Sequence, residues 1–128
     1  MSILGRHILC VDDNRETCDL LTLWLEKVEG CYLTVAETVA EGLQLAKSTR
    51  FDLYLVDEWL PDGTGEELCM KLREFDATTP IVIHSADARA ATKERLLSTC
   101  AQAFVTKPGD LDVLSRTIAR QMAKSTGH

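Results

Sequence analysis

Phe51-Asp-Leu-Tyr-Leu-Val-Asp-Glu-Trp-Leu-Pro-Asp-Gly-Thr-Gly65 is the stretch on which the fold turns. Leu53 to Val56 is an apolar run with no polar alternation, the pattern of a strand covered on both faces in a parallel sheet. The run ends on Asp57 and then meets Pro61 and Gly63, which break regular structure. The carboxylate therefore falls at the carboxyl edge of a sheet, where open α/β folds place their ligand crevices. Asp57 is the first candidate for chemistry.

The same pattern recurs on both sides of this stretch. Upstream, Arg6 to Val11 is an apolar run that ends on Asp12-Asp13. Downstream, Pro80 to His84 ends on Ser85, and Ala103 to Thr106 ends on Lys107-Pro108. Tyr32 to Ala36 supplies one more strand, and Phe51 to Val56 is the third in chain order. Helices fill the intervals. Asn14 opens one that runs to Glu29, with Leu20, Leu21, Trp24, Leu25 and Val28 three and four residues apart and Gly30 as its stop. Thr38-x-x-Glu41 and Thr64-x-x-Glu67 are capping boxes. The first leads Val39, Leu43 and Ala46. The second leads Leu68, Leu72 and Phe75, until Ala77-Thr-Thr-Pro80 breaks the helix. A weaker helix spans Arg89 to Ser98, and a last one starts near Asp110 and carries Leu111, Leu114, Ile118 and Met122.

Five strands alternating with five helices predict a doubly wound α/β fold with a parallel sheet, residues 1–128 forming one domain. A chain of this length buries roughly two thirds of its unfolded surface and needs no staples. The flavodoxin-like strand order 2-1-3-4-5 makes strands 1 and 3 neighbours at the switch point, so Asp12, Asp13 and Asp57 converge on one crevice. Ser85 and Lys107 reach the same edge from strands 4 and 5.

Composition narrows the class. A hydrophobic content of 45%, a charged content of 27% and a net charge of −6 suit a water-exposed globular domain, and the negative charge argues against nucleic acid as a partner. No apolar run reaches the roughly 20 residues of a membrane span, and Met1 to Arg6 has no signal-peptide core. The expectation is a cytoplasmic protein with no membrane contact. The five cysteines, at 10, 18, 31, 69 and 100, form no C-x-x-C pair and mostly lie in apolar segments, the usage of reduced, buried thiols. They and His7, His84 and His128 show no zinc-ligand spacing.

Three carboxylates within a few ångströms repel one another, at a cost on the order of 4 kcal/mol per pair near 4 Å, unless a cation neutralises them. A hard divalent ion with oxygen ligands does so, and Mg2+ fits because it takes one or two carboxylates and leaves positions open for water and a phosphate oxygen. Metal, lysine and hydroxyl around a carboxylate make a phosphoryl-transfer site with Asp57 as nucleophile. Taken singly, Asp12-Asp13 is a helix-capping pair, Lys107-Pro108 a turn and Ser85 a cap. Their joint occurrence at the ends of four strands points to chemistry.

These residues together resemble the receiver domains of two-component response regulators, over essentially the whole chain. Asp12-Asp13, Asp57 with Pro61 and Gly63 four and six residues later, Ser85-Ala86 and Lys107-Pro108 carry the resemblance. It implies that Asp57 is the phosphoacceptor, Asp13 a direct Mg2+ ligand and Asp12 a ligand acting largely through water. Trp59 is implied to give the metal a backbone carbonyl, Ser85 to bond a phosphoryl oxygen, Lys107 to pair with the phosphate and Phe104 to be the switch aromatic. The implied donor is a histidine kinase or phosphotransfer protein, and the output passes to a downstream protein or a second copy through the helix 4, strand 5 and helix 5 face. Such a domain is no enzyme beyond gaining and losing its own phosphoryl group. Position 59 departs from the smaller or flexible residue usual there, and Phe104 stands where tyrosine is frequent. With Asp87 two residues after Ser85, Trp59 is placed to flank the water that hydrolyses the phosphoryl group. Asp87 serves either as a proton acceptor or as the cap of helix 4. A haloacid-dehalogenase-type phosphohydrolase is the enzyme alternative, but its second aspartate, two residues after the first, is Trp59 here. A flavodoxin would cradle a phosphate in the first loop, where Asp12-Asp13 repels it. A stand-alone receiver and one cut from a longer regulator both stay open.

Overall fold

Apolar runs at alternating parity build a sheet with two buried faces. The computed structural model describes residues 3–87, 89–107 and 109–126, the side chains of 125 and 126 excepted. Pro108, the second half of the Lys107-Pro108 motif, and His128 lie outside the described residues. Strands β1 (His7–Val11), β2 (Tyr32–Ala36), β3 (Leu53–Val56), β4 (Ile81–Ser85) and β5 (Ala103–Thr106) pair in parallel in the expected order β2-β1-β3-β4-β5. All of β3 and β4 is buried. On β1, Leu9 and Val11 face one layer of helices while Ile8 and Cys10 face the other, as a period of two requires.

The five expected helices form the layers. Against Leu9, Val11, Tyr54, Val56 and Ile83 pack α2 (Val39–Ser48), α3 (Gly65–Arg73) and α4 (Ala90–Thr99), through Val39, Ala46, Leu68, Leu72 and Leu96. Against Ile8, Leu53, Leu55 and Val82 pack α1 and α5 (Leu111–Thr126), through Leu21, Leu25, Leu114, Ile118 and Met122. Each buried Val, Leu, Ile or Met among them contributes roughly 1.5–3 kcal/mol on burial. The capping threonines act as expected: Glu41 N donates to Thr38 Oγ1 at 3.0 Å and Glu67 N to Thr64 Oγ1 at 3.1 Å. The Glu41 carboxylate, however, accepts from Glu37 N rather than from Thr38.

Several expectations change. α1 is α-helical over Arg15–Thr22 and continues in wider π-helical turns over Leu23–Val28. Glu29 N bonds Trp24 O, five residues back, which turns the later residues out of the 3.6-residue register. Leu21 and Leu25 are buried, but Val28 and Leu20 are exposed. α3 ends before Phe75, which is exposed beneath the Lys47 ammonium. The turn that replaces it is centred on Asp76, whose carboxylate accepts from Thr78 N, Thr79 N and Tyr54 Oη. A two-residue ribbon, Trp59–Leu60 against Gly63–Thr64, was not expected. At its tip Asp62 caps α2, accepting from Val39 N at 2.7 Å and Ala40 N at 3.1 Å. Gly65 follows because a Cβ there would collide with the Asp57 carbonyl and come within 3.0 Å of Glu58 Cα. Finally, the reduced-thiol expectation holds for Cys10, Cys18 and Cys31, whereas Cys69 on α3 and Cys100 after α4 form a disulfide. They lie 31 residues apart, and only the packing of α4 against α3 brings them together.

Candidate functional site

The last ladder bonds of the sheet set the site. Asp12 N donates to Ala36 O, Asp57 N to Val11 O and Lys107 N to Ser85 O, each at 2.9 Å. Each of these functional side chains thus sits one residue beyond a strand end whose backbone is pinned to a neighbour. Val11 lies opposite Val56 and Val56 opposite Ile83, so β1 and β3 end level while β4 runs two residues further, to Ser85. The sequence expectation of one crevice at this edge is met.

Asp12, Asp13 and Asp57 each place a carboxylate oxygen within 4.8 Å of the others. Asp12 is buried, Asp13 exposed and Asp57 between the two. The Lys107 ammonium lies 2.5 Å from Asp12 Oδ2 and 3.3 Å from Asp57 Oδ2. The remaining oxygens are used as well: Asp12 Oδ1 accepts from Asn14 N at 2.9 Å, and Asp57 Oδ1 from Glu58 N at 2.8 Å. One cation against three carboxylates leaves the site short of positive charge. Burial raises the Asp57 pKa, Lys107 opposes that rise and Asp12 adds to it. Burial alone would lower the Lys107 pKa, but its contacts with Asp12 and Asp57 prevail and hold the ammonium above its ordinary value. An all-oxygen, net negative donor set of this kind fits a hard divalent cation.

Ser85 ends β4 fully buried, and its Oγ accepts from Asp87 N at 3.2 Å. Phe104 lies on β5 opposite Ile83, half-buried, with the Lys93 ammonium of α4 5.7 Å from its ring centre. Trp59 is 55% exposed on the ribbon, and its side chain hydrogen-bonds Asp87. The sequence reading missed Arg89, whose guanidinium grips Asp87 with bonds of 2.8 and 2.7 Å. That grip is the main reason the Asp87 pKa falls to about 2. It also missed Glu58, a buried carboxylate whose Oε1 accepts from Glu66 N at 3.0 Å, and His84, buried on β4 with no partner for Nδ1 among the described residues. Burial, then the Lys107 charge, lowers the His84 pKa to about 4, so its ring is neutral near pH 7. The one signal that could have exposed Glu58 is a second carboxylate next to Asp57 after a wholly apolar strand.

Comparison with known proteins agrees with this geometry. The family model of the response regulator receiver domain matches residues 8–119. The cell cycle transcriptional regulator CtrA of Caulobacter vibrioides is 31% identical over 122 residues, which are 95% of this chain and 52% of that protein. The chain thus spans about half the length of this curated relative. Among solved structures, a CheY-like receiver domain protein of Methanospirillum hungatei is 28% identical with a TM-score of 0.90, covering 95% of this chain and 97% of that one. The response regulator TrrA of Thermotoga maritima, solved in complex with Mg2+ and BeF, is 27% identical with a TM-score of 0.82, covering 91% and 98%. By the matched model, the shared fold and the residues gathered at the carboxyl edge of its sheet, the chain belongs to the response regulator receiver domain family of two-component signalling.

Proposed function

We propose that Asp57 accepts a phosphoryl group from a histidine kinase or phosphotransfer protein, with Mg2+ held by Asp12, Asp13, Asp57 and the backbone carbonyl of Trp59. Receiver domains in general are phosphoacceptors rather than enzymes, and they bind Mg2+ at an acidic pocket. The observation that carries the assignment here is the Lys107 ammonium lodged between Asp12 and Asp57, with Asp13 completing the carboxylate cluster. The Mg2+–BeF complex of the Thermotoga relative supports a metal-assisted phosphoryl site. The phosphohydrolase alternative gains no support, since the acid/base position after Asp57 is the half-exposed Trp59.

In this reading an Asp57 carboxylate oxygen attacks phosphorus as the bond to the donor breaks. Mg2+, when bound, supplies positive charge to the phosphoryl oxygens. Lys107 supplies more, exchanging its contact with Asp57 for one with the phosphoryl group. Asp12, anchored by Lys107 and by Asn14 N, suits a water-mediated role, whereas exposed Asp13 suits direct ligation. Ser85 Oγ leaves Asp87 N to bond a phosphoryl oxygen, and Phe104 turns into the space vacated. That movement alters the face made by α4, β5 and α5, where a downstream protein or a second copy docks. Residues 1–128 act as one receiver domain. Among the described residues no helix is long and apolar enough to cross a membrane, and the proposed compartment is the cytoplasm. Trp59, bonded to Asp87, covers the approach of hydrolytic water.

Incubation with acetyl phosphate and Mg2+ tests the acceptor. Mass spectrometry should show one phosphoryl group on the wild type and none on Asp57→Asn, and an equal mass gain in both would reject the assignment.

A further inference from the structure

The disulfide joins α3 to the C-terminal end of α4, a helix of the face that the switch would alter. Cys69 is buried in the middle of α3, and Cys100 is the residue that closes α4, their Cα atoms 5.8 Å apart. Both sulfurs sit in the core with Leu72, Leu96 and Ala101. The two ends of α4 are held very differently. At its C-terminus the covalent bond is reinforced by Arg73, whose Nε donates to the Cys100 carbonyl at 3.2 Å. Toward its N-terminus only Thr92 is buried, and the ties there are made by exposed side chains: the ion pair from Arg95 to Glu66, the Lys93 contact with Phe104 and the bonds of the N-capping Arg89 to Asp87 in the adjoining loop. α4 is a lever with one fixed end.

We propose that Cys69 and Cys100 form a reversible oxidation site, with a low-molecular-weight disulfide of the oxidised-glutathione class as co-reactant, and that this bond limits how far α4 moves when Asp57 is phosphorylated. The limit on movement rests on the acceptor reading above; the oxidation site does not. Cys100 reacts first, because it ends a helix and is 4% exposed, whereas Cys69 is wholly buried. Opening of the last helical turn exposes its sulfur. The Cys100 thiolate attacks the small disulfide, forming a mixed disulfide and expelling one small thiolate. Cys69 then gives up its proton and attacks the Cys100 sulfur, expelling the second. Two protein thiols are oxidised, one small disulfide is reduced to two thiols, and the protons end on the leaving sulfurs. A small dithiol reverses the sequence. Cys18 points its thiol at the Asp12 carbonyl, and Cys31 points its own at the Leu25 carbonyl, so neither serves this exchange.

The test uses the wild-type chain in two redox states. After oxidised glutathione, alkylation under denaturing conditions should label the three free cysteines, and after dithiothreitol all five. Five labelled thiols after the oxidant would overturn the site. Both forms are then treated with acetyl phosphate and Mg2+, and their amide chemical shifts are compared. Asp57 should be phosphorylated to the same extent in each, while shift changes across Ala90–Thr99 should be about twofold smaller in the oxidised form. Equal changes in the two forms would overturn the tether. A Cys69→Ala/Cys100→Ala variant should match the reduced form under both conditions. Failure of phosphorylation in both forms would instead sink the acceptor reading and the tether with it, and the thiol count would still decide the oxidation site.

Discussion

The acidic crevice and the α4 face are built on opposite terms. In the crevice Asp12, Asp57 and Lys107 each stand one residue past a pinned strand end, and the carboxylates of Asp12 and Asp57 already hold backbone amides and one ammonium. It is rigid and short of positive charge. α4 is fixed at its C-terminal end by the Cys69–Cys100 bond but loosely held toward its N-terminus, where only Thr92 is buried. The contrast locates the stored energy and the movable part. Repulsion is held where the backbone is pinned, and a cation relieves it, whereas the helix that buries little toward its N-terminus is the part able to shift. Phe104 and Lys93 lie where the two regimes meet.

The largest test of the contrast removes the cation. Lys107→Met leaves two mostly buried carboxylates uncompensated, and it should destabilise the protein by about 3–5 kcal/mol in chemical denaturation without divalent ions. Added Mg2+ should recover part of that loss. An unchanged midpoint would show that the crevice stores no repulsion.

Next comes His84, buried just below the crevice. Its folded pKa of about 4 lies below the ordinary 6.5, so the unfolded chain binds a proton that the folded one refuses. Stability from this group is therefore complete above about pH 6.5 and is lost as pH falls toward 4, on the order of 3 kcal/mol in all. Denaturant titrations of wild type and His84→Gln across that window should converge in slope at pH 7 and diverge below pH 6. Parallel curves would mean that the imidazole is not held neutral by its surroundings.

A smaller effect is expected at the mouth of the crevice. If the indole bonded to Asp87 excludes water, Trp59→Ala should shorten the phosphoryl lifetime about tenfold at saturating Mg2+, equivalent to about 1.4 kcal/mol of barrier. Stopped assays of acid-stable counts, with metal affinity measured separately, decide the point, and a lifetime equal to or longer than that of wild type counts against the cover.

The smallest lies on the α4 side. Lys93→Met removes a cation from the Phe104 ring and should cost only about 0.5–1 kcal/mol in stability while broadening or shifting the Phe104 ring resonances. A loss as large as that at Lys107 would erase the distinction drawn between the two regions.

The sheet was legible because its evidence is local. Apolar parity identifies strands, Thr38 and Thr64 mark helix starts, and a charged or hydroxyl residue after each apolar run marks the functional edge. Strand order then follows from chirality and short connections, so Asp12, Asp13, Asp57, Ser85 and Lys107 could be assigned to one edge from residue order alone. Features that depend on distances across the fold were not legible. Cys69 and Cys100 become partners only through the packing of α4 on α3. Asp62 caps a helix that begins 23 residues earlier. Val28 fits a helical stripe by spacing, but the π-helical turns rotate it to the surface. Arg89 opens a helix in any local reading, and its grip on Asp87, two residues away, depends on a loop conformation that residue spacing does not specify. Periodicity and turn chemistry act over a few residues, so sequence alone determined which elements form and which side chains reach the edge. Pair distances between remote side chains depend on how the helices settle on the sheet, and tertiary structure alone decided those.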